Sequence, residues 1–424
     1  MTMNTMHPAL PSRRHLLRGA AAFGTVSAFA SLAPFSSLSI AAGNATAPNK
    51  LVFMILRGGM DGLTSVPAPG DPAFADARGA LGQFMSAPLP LQGPFALNPL
   101  LPELHAMYGR GEMTVLHAAG LPYRERSHFD AQQVLESGGS KPYELATGWL
   151  GRALQGAPGQ PALRAVALET AVPLVLRGPV EVDTWAPSAL PEPAPDLVAR
   201  LQTMYRNDPA LAQALARARG LRDEPGLAAN PAAMAGVGNN PGNNAGGRGA
   251  AVALARKAAE FLQRGSQVAV LELGGWDSHV NQAQPQGALS NNLRVLDATL
   301  AALREGLQDN GVWQHTAVMV ATEFGREVAI NGTQGTDHGS GGAAFVLGGA
   351  VRGGRVLADW PGLAKKDRHE GRDLRITTDL RAAWRTLLSD HLGVATAALD
   401  HTVLPGSAGL PRLDLLRGQC SVRC

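Results

Sequence analysis

Acidic, imidazole and guanidinium side chains are concentrated in the loop after the apolar run Ala317–Ala321. This loop carries Glu323, Arg326, Asp337 and His338 among many glycines. Carboxylates and imidazoles together can bind a metal ion, and an imidazole can also transfer protons near neutral pH. Glu323 could therefore bind a metal or pair with Arg326. His338 could be a metal ligand, a general acid or base, or a hydrogen-bonded polar residue of the loop.

The sequence Gly-Gly-x-Asp follows two further apolar runs. It places Asp61 after the run Lys50–Leu56 and Asp277 after the run Gln267–Leu273. One residue separates Asp277 from His279, and this spacing can present a carboxylate and an imidazole from one loop to a metal with mixed ligands. Asp61 could instead cap a helix or turn, and Asp277 and His279 could be structural. The recurrence of the pattern favours contact with a metal or a substrate.

A hydroxyl group precedes the predicted helix Phe129–Glu136. Ser127 occupies the position of a helix N-cap, and capping is one interpretation of it. In the other interpretation, the hydroxyl is a nucleophile or helps to bind an oxyanion, because a helix start offers free N–H groups and the positive end of the dipole. Arg124 and Arg126 nearby would suit an anionic substrate, although arginines are also common on protein surfaces.

These loops can meet only if the apolar runs form strands of one sheet. Short apolar runs bounded by turn residues predict buried strands, and open α/β sheets bind their ligands at the carboxyl ends of such strands. Amphipathic periodicity predicts helices between the strands, with a break between two helices at Asp208-Pro209. The predicted strands are Lys50–Leu56, Met113–Ala119, Ala162–Leu168, Gln267–Leu273, Ala317–Ala321 and Ala343–Leu347, and the main predicted helices are Leu100–Tyr108, Phe129–Glu136, Gly249–Arg264, Ser290–Asp309 and Leu380–Gly393.

The N-terminus has the pattern of an export signal. Residues 12–17 read Ser-Arg-Arg-His-Leu-Leu, as in a twin-arginine signal, and an apolar region and an Ala45-x-Ala47 cleavage site follow. We therefore expect a signal peptide over residues 1–47, contact with the twin-arginine export machinery, and a periplasmic or extracellular protein with no stable membrane span after processing. The alternative is a membrane anchor, because the apolar region is about 20 residues long.

Composition sets limits on the rest of the chain. Hydrophobic residues make up 45% and charged residues 17%, which suits a globular core. Three arginines are the only charged side chains before Ala47, and their loss would bring the formal net charge from +3 to zero. A nucleic-acid partner is therefore not expected.

Residues 48–424 are expected to form a single α/β domain with a low-complexity loop at 223–249 and a poorly ordered C-terminal tail. In that tail, Cys420 and Cys424 could pair in an oxidising compartment.

Besides the twin-arginine start, the chain contains several short motifs. They are Arg57-Gly58-Gly59-Met60-Asp61-Gly62, Arg126-Ser127-His128-Phe129, Gly274-Gly275-Trp276-Asp277-Ser278-His279, Thr322-Glu323-Phe324-Gly325-Arg326, Gly335-Thr336-Asp337-His338-Gly339, Arg372-Asp373-Leu374 and Thr378-Asp379-Leu380-Arg381. As a set, they resemble DUF1501, a family of exported proteins of largely uncharacterised function. The resemblance covers the chain from about Lys50 to Pro405.

That family is similar in turn to the alkaline phosphatase/sulfatase superfamily. The likeness implies an α/β fold with a doubly wound, mostly parallel sheet, helices on both faces and metal ligands at strand ends. It also implies hydrolysis of phosphate or sulfate esters, with Zn, Mn, Mg or Ca as the divalent ion and an anionic small-molecule or polymer substrate. Together with the motifs, it leads us to expect Ser127, His128 and Arg326 as catalytic residues, Arg57 and Arg126 as substrate-binding residues, and Asp61, Asp277, His279, Glu323, Asp337 and His338 as metal ligands.

Departures from the superfamily pattern keep a second hypothesis open. The Asp-His-Gly sequence at residues 337–339 usually follows its strand directly, but Glu323-Phe324-Gly325 takes that place here. The Cys-x-Pro-x-Arg sequence that sulfatases need is absent. The first hypothesis is an exported metal-dependent hydrolase of phosphate or sulfate esters. The second is a catalytically eroded, exported binding or assembly protein on the same fold.

Overall fold

The computed structural model describes residues 48–155, 164–187, 194–223, 247–282 and 284–418. The predicted signal peptide, most of the predicted low-complexity loop and the two cysteines of the tail lie outside these ranges. The loop bounds need correction, because Asp223 ends one helix and residues 247–249 begin the next. No helix within the described ranges is long and apolar enough to cross a membrane.

One large sheet contains most of the strands, in the spatial order β10-β4-β9-β8-β1-β7-β5-β6, with β11 paired to β4. Neighbouring strands are parallel except at β9, which is antiparallel to both β4 and β8. A separate small sheet holds β2 and β3. The strands are β1 Lys50–Leu56, β2 Leu89–Pro90, β3 Ala96–Leu97, β4 Met113–Gly120, β5 Ala165–Ala167, β6 Asp183–Thr184, β7 Val268–Leu273, β8 Thr316–Thr322, β9 Gly342–Leu347, β10 Arg355–Leu357 and β11 Thr378–Asp379.

Helices connect these strands at most of the predicted positions. The break at Asp208-Pro209 separates two helices as predicted, whereas the last predicted helix ends early and continues as a π-helical turn at Leu387–His391. The helices are α1 Gly62–Ser65, α2 Phe74–Arg78, α3 Pro102–Gly109, α4 His128–Ser137, α5 Trp149–Ala153, α6 Pro195–Tyr205, α7 Pro209–Asp223, α8 Gly247–Gln263, α9 Ala288–Gln308, α10 Leu380–Thr386 and α11 Thr396–Ala398.

Both faces of the sheet are covered, which explains why its central strands are mostly apolar. On one face, alternate side chains of β1 pack with α3, α8 and α9. The other side chains of β1 pack with α4, α5 and α10, and on that face the ring of Phe53 meets Trp149 edge-on at 5.2 Å, while Trp149 stacks on Trp384 at 4.9 Å. The expected α/β fold, with a mostly parallel sheet and helices on both faces, is confirmed.

The register of the central strands brings three loops together. Leu56 pairs with Leu273 on one side and with Thr322 on the other, so β1, β7 and β8 end side by side. Gly58 then turns at φ +120°, and a Cβ at this residue would lie 2.5 Å from the backbone nitrogen of Asp277. Because only glycine permits this approach, the loop after β1 can pack directly on the loop after β7.

Asp61 lies in a buried polar network next to these loops. Its Oδ1 accepts from the backbone N–H groups of Leu63 and Thr64, and so caps α1, while its Oδ2 pairs with Arg78 at 2.5 Å and accepts from Gln282. Burial alone would raise the pKa of Asp61, but Arg78 and these hydrogen bonds hold it below its usual value. The capping interpretation of Asp61 therefore applies, and every acceptor position of this carboxylate is used within the protein.

We predict that Asp61→Asn lowers the free energy of unfolding by about 3–5 kcal/mol, because it leaves the charge of Arg78 buried without a partner. Chemical denaturation of the variant and the parent chain measures this difference. Asp76→Asn, on the exposed side of α2, is the matched control and should change stability by less than about 0.5 kcal/mol. Equal stability of the two variants would contradict the assignment.

A second buried titratable group, His117, lies on β4. Its Nε2–H donates to the carbonyl of Val66 at 2.8 Å, its Nδ1 accepts from the N–H of Ala118, and its ring lies between Phe95 and Trp360. Burial lowers the pKa of His117 to about 4, against a smaller opposing effect of the Val66 carbonyl. The folded protein therefore keeps His117 neutral at pH values where the unfolded chain is already protonated.

We predict that this histidine weakens the fold as the pH falls. A group whose pKa drops from about 6.5 unfolded to about 4 folded removes about 3 kcal/mol of stability between these two pH values. The His117→Gln chain retains a donor for Val66 and should lack this part of the pH dependence. Urea denaturation of both chains between pH 7 and pH 4 tests the point, and parallel curves would show that His117 titrates normally.

Candidate metal centre

Four side chains converge where β1, β7 and β8 end and α4 begins. The Nε2 atom of His338 is 3.0 Å from the Nε2 atoms of both His128 and His279, and 3.2 Å from Oδ1 of Asp277. Asp277 Oδ1 is also 2.9 Å from His279 Nε2, and Asp277 Oδ2 is 3.4 Å from His128 Nε2. His128, Asp277 and His338 satisfy the spacing of a metal-binding group, and His279 adjoins it.

The distances among His128, Asp277 and His338 fit a shared cation, and His279 lies next to them. An ion in tetrahedral coordination, at about 2.0–2.1 Å from each nitrogen, holds its ligand atoms roughly 3.3 Å apart. Two Nε2 atoms separated by 3.0 Å cannot both carry a proton without repulsion, so at least one nitrogen of each pair presents its lone pair to the other. The four side chains are between 23% and 45% exposed, so the centre can be reached from solvent.

Each of the three imidazoles is oriented through its other nitrogen. His128 Nδ1 contacts Glu323 Oε1 at 2.9 Å, and His279 Nδ1 contacts Asp337 Oδ1 at 3.2 Å. His338 Nδ1 lies 3.0 Å from the backbone carbonyl of Arg126. Because all three partners are acceptors, each Nδ1 donates a proton, and each ring in its neutral form presents the lone pair of Nε2 to the centre, as in the carboxylate–histidine pairs that support metal sites.

Glu323 is the most buried member of this supporting set. Its Oε1 accepts from His128, from the backbone N–H of Gly58 at 2.8 Å and from Gln132 at 3.0 Å, and its Oε2 accepts from Thr322. Burial alone would raise the pKa of Glu323, but His128 and Gln132 lower it, so the carboxylate stays charged. Glu323 therefore holds His128 instead of pairing with Arg326, whose guanidinium contacts Asp277.

The electrostatics of the centre favour positive charge. Burial alone would lower the pKa of His128, but its contacts with Asp277 and Glu323 raise it to about 9. Burial would also raise the pKa of Asp277, yet hydrogen bonds from His128, His338 and Arg326 hold it far below its usual value. A cation between these side chains would be stabilised by the same carboxylates.

Arg326 lies beneath the centre and is fully buried. Its guanidinium donates to the carbonyls of Gly58 and Gly59, at 2.5 and 2.6 Å, and to Oδ1 of Asp277 at 2.6 Å. Nη1 is 3.4 Å from Nε2 of His279. Since this side chain has no exposed surface, the predicted catalytic contact with a substrate is corrected to a positioning role on Asp277.

Ser127 and Arg126 begin the helix that carries His128. Ser127 is the N-cap residue of α4, but its side chain makes no capping hydrogen bond. Arg126 has φ +61°, a conformation that costs a non-glycine residue energy. Its side chain is held by Asp373 at 2.8 Å and by Glu370 at 2.7 Å. These ion pairs keep the Arg126 carbonyl directed at His338, and the predicted substrate contact of Arg126 would have to break them.

The remaining predicted site residues lie outside the cluster. Asp61 pairs with Arg78, as described above, and therefore does not join the four converging side chains. Arg57 pairs with Glu136 at 2.7 Å and with Glu272 at 2.5 Å. Two carboxylates therefore neutralise the charge of Arg57, and its substrate contact stays a prediction.

The sequence analysis did not single out Gln132, and it included Asp373 in a motif without giving it a role. Gln132 follows His128 by four residues on α4, so the helical repeat places both on one face. That spacing was a usable signal. Asp373 comes from a distant loop, where it accepts from Ser340 and Arg126, and its sequence neighbours gave no sign of this contact.

Comparison with known proteins gives one family and several distant structural likenesses. A phosphonate monoester hydrolase of Agrobacterium radiobacter overlaps 82% of this chain and 74% of its own, at 12% identity and a TM-score of 0.39. The PsFucS1 sulfatase from Pseudoalteromonas sp. overlaps 83% of this chain and 68% of its own, at 13% identity and a TM-score of 0.40. A 2-O GAG sulfatase overlaps 87% of this chain and 73% of its own, at 12% identity and a TM-score of 0.39. Such low scores carry no argument about the site.

Comparison with curated proteins gives no match. A family model described as a protein of unknown function, DUF1501, matches residues 106–395. The matched region contains all four converging side chains and the residues that orient them. Because it also spans more than half of the sequence, the chain belongs to the DUF1501 family.

Proposed function

We propose that this chain is an exported, metal-dependent hydrolase of phosphate or sulfate esters. The observation that carries the proposal is the convergence of His128, His279, His338 and Asp277, with every imidazole Nδ1 tied to an acceptor. Hydrogen bonds of this kind are characteristic of histidines that bind metals. The four side chains would hold a divalent ion. When bound, such an ion supplies Lewis-acid chemistry that stabilises the negative charge developing on the oxygens of an ester.

The start of α4 supports an anionic substrate. No side chain caps this helix, so the N–H groups of its first turn are free to donate to an oxyanion. Ser127 stands at the same helix start, next to His128, and its hydroxyl is the candidate attacking group. A water molecule is the alternative attacking group. Asp277 and the histidines would orient the ester, and Glu323 would keep His128 in the correct tautomer.

Export is the part of the proposal that rests on sequence alone. The twin-arginine pattern at residues 12–17 supports transport of the folded chain to the periplasm or the exterior. A folded passenger could bind its metal before transport. Anionic small molecules or polymers outside the cytoplasm are then the proposed substrates.

One observation favours the second function, an exported binding protein without turnover. Phosphate and sulfate sites commonly use an arginine that is free to grip the anion. Here Arg57, Arg126 and Arg326 are each paired with carboxylates. In a hydrolase, the substrate would therefore be bound by the metal and the N–H groups at the helix start. In a binding protein, the same groups would hold the ligand without cleaving it.

We predict that purified protein hydrolyses a phosphomonoester, phosphodiester or sulfate ester after loading with a divalent metal, and that Asp277→Asn reduces the rate by more than about 100-fold. The amide cannot replace the charge that Asp277 brings to the ion. Asp359→Asn, which changes an exposed carboxylate elsewhere, is the matched control and should retain full activity. Tight binding of these esters by the parent chain, without turnover under any metal, would establish the binding protein instead.

A separate prediction concerns the attacking group. Because Ser127 makes no capping bond, Ser127→Ala should change the free energy of unfolding by less than about 0.5 kcal/mol. If Ser127 is the nucleophile, the same variant should lose more than about 100-fold in rate while it keeps its metal. Denaturation, metal analysis and ester hydrolysis on one preparation give the answer. A rate within about threefold of the parent would identify water as the attacking group.

A further inference from the structure

We infer that the centre holds one ion rather than a pair, that this ion is a transition metal rather than calcium or magnesium, and that the guanidinium of Arg326 takes the place of a second cation. The inference deepens the proposed function, on which it rests for the presence of a metal. It narrows the four ions expected from the sequence to those that accept nitrogen ligands.

The donor atoms are enough for one ion. His128, His279 and His338 contribute one Nε2 atom each, and Asp277 contributes a carboxylate oxygen. Two-metal sites need ligands around two points about 4 Å apart, usually with a carboxylate that bridges them. Asp277 is the only carboxylate among the described residues that contacts the Nε2 atoms of these histidines.

The other acidic groups of the predicted ligand set have different partners. Glu323 accepts from His128, Gly58 and Gln132. Asp337 accepts from His279 Nδ1 and from Asn331, both at 3.2 Å. Asp61 faces Arg78 at 2.5 Å. Each carboxylate that could have built a second site therefore orients a histidine or neutralises an arginine.

Arg326 occupies the protein side of Asp277, opposite the solvent-exposed approach. Its Nη2 lies 2.6 Å from Asp277 Oδ1, and the same nitrogen donates to the carbonyls of Gly58 and Trp276. Nη1 donates to the carbonyl of Thr336 at 3.2 Å. A guanidinium with this many donors in use is rigidly held, so a second ion could approach Asp277 from this side only by displacing it.

The donor set also selects the kind of ion. Calcium takes six to eight oxygen ligands, and magnesium prefers oxygen ligands and keeps several of its waters. Three imidazoles and one carboxylate suit zinc, iron, manganese, cobalt, nickel or copper instead. A ligand set with three imidazole nitrogens therefore disfavours the binding of both calcium and magnesium.

Metal analysis tests this inference directly. The full chain is equilibrated with equal concentrations of zinc, manganese, magnesium and calcium, dialysed, and analysed by mass spectrometry of its metals. We expect about one equivalent of zinc or manganese per folded chain and no retained calcium or magnesium. X-ray absorption of the bound ion should show about three imidazole nitrogens at roughly 2.0–2.2 Å.

The Gly-Gly-x-Asp motif supplies matched variants. Asp277→Asn should lose the bound equivalent, whereas Asp61→Asn, the same change in the same motif, should retain it when circular dichroism shows a folded chain. The parent measurement stands even if Asp61→Asn does not fold. Two equivalents, retained calcium or magnesium, or a folded parent chain without metal would each overturn the inference. One equivalent without ester hydrolysis would uphold it and refute the proposed function.

Discussion

The hydrogen bonds that hold three imidazole rings through their Nδ1 atoms are the constraint on which the site depends. One ring each donates to Glu323, to Asp337 and to the carbonyl of Arg126. A neutral imidazole that donates at Nδ1 presents a lone pair at Nε2, so three acceptors from two loops favour the tautomers that the proposed metal site needs. The strain of the Arg126 backbone and its ion pair with Asp373 serve the same end. Without these acceptors, the rings would be free to turn or to change tautomer.

Two buried arginines balance the acidic loops around this centre. Arg326 neutralises Asp277, and Arg78 neutralises Asp61. The two aspartates follow the same Gly-Gly-x-Asp pattern, yet one lies at the solvent side among imidazoles and the other lies at the base of α1. A buried carboxylate must find a cation or hydrogen-bond donors wherever the fold places it. The identity of that partner decides whether such an aspartate is available to a ligand.

Much of the fold was predictable because burial on both faces leaves a strong mark on a strand. The run Lys50–Leu56 was predicted with the bounds that β1 has, and β4, β7, β8 and β9 were predicted to within one residue at each end. The direction of β9 was not predictable, since an apolar run is the same for parallel and antiparallel neighbours. The loops that carry chemistry were also recognised. Within them, Asp277, His279 and His338 lie together and their role as ligands stays a prediction, whereas Glu323 and Asp337 contact histidines.

The sequence by itself determined which segments are strands and helices, and which loops hold carboxylates and imidazoles, because those properties depend on local periodicity and residue type. Only the tertiary structure decided the partners. His128 meets Glu323 across 195 residues, and Arg326 meets Asp277 across 49. Such pairs form because the register of β1, β7 and β8 aligns their carboxyl ends and because buried charges must be neutralised where they meet. Neither the strand register nor the pairing of buried charges can be inferred from the residues that flank a given position in the sequence.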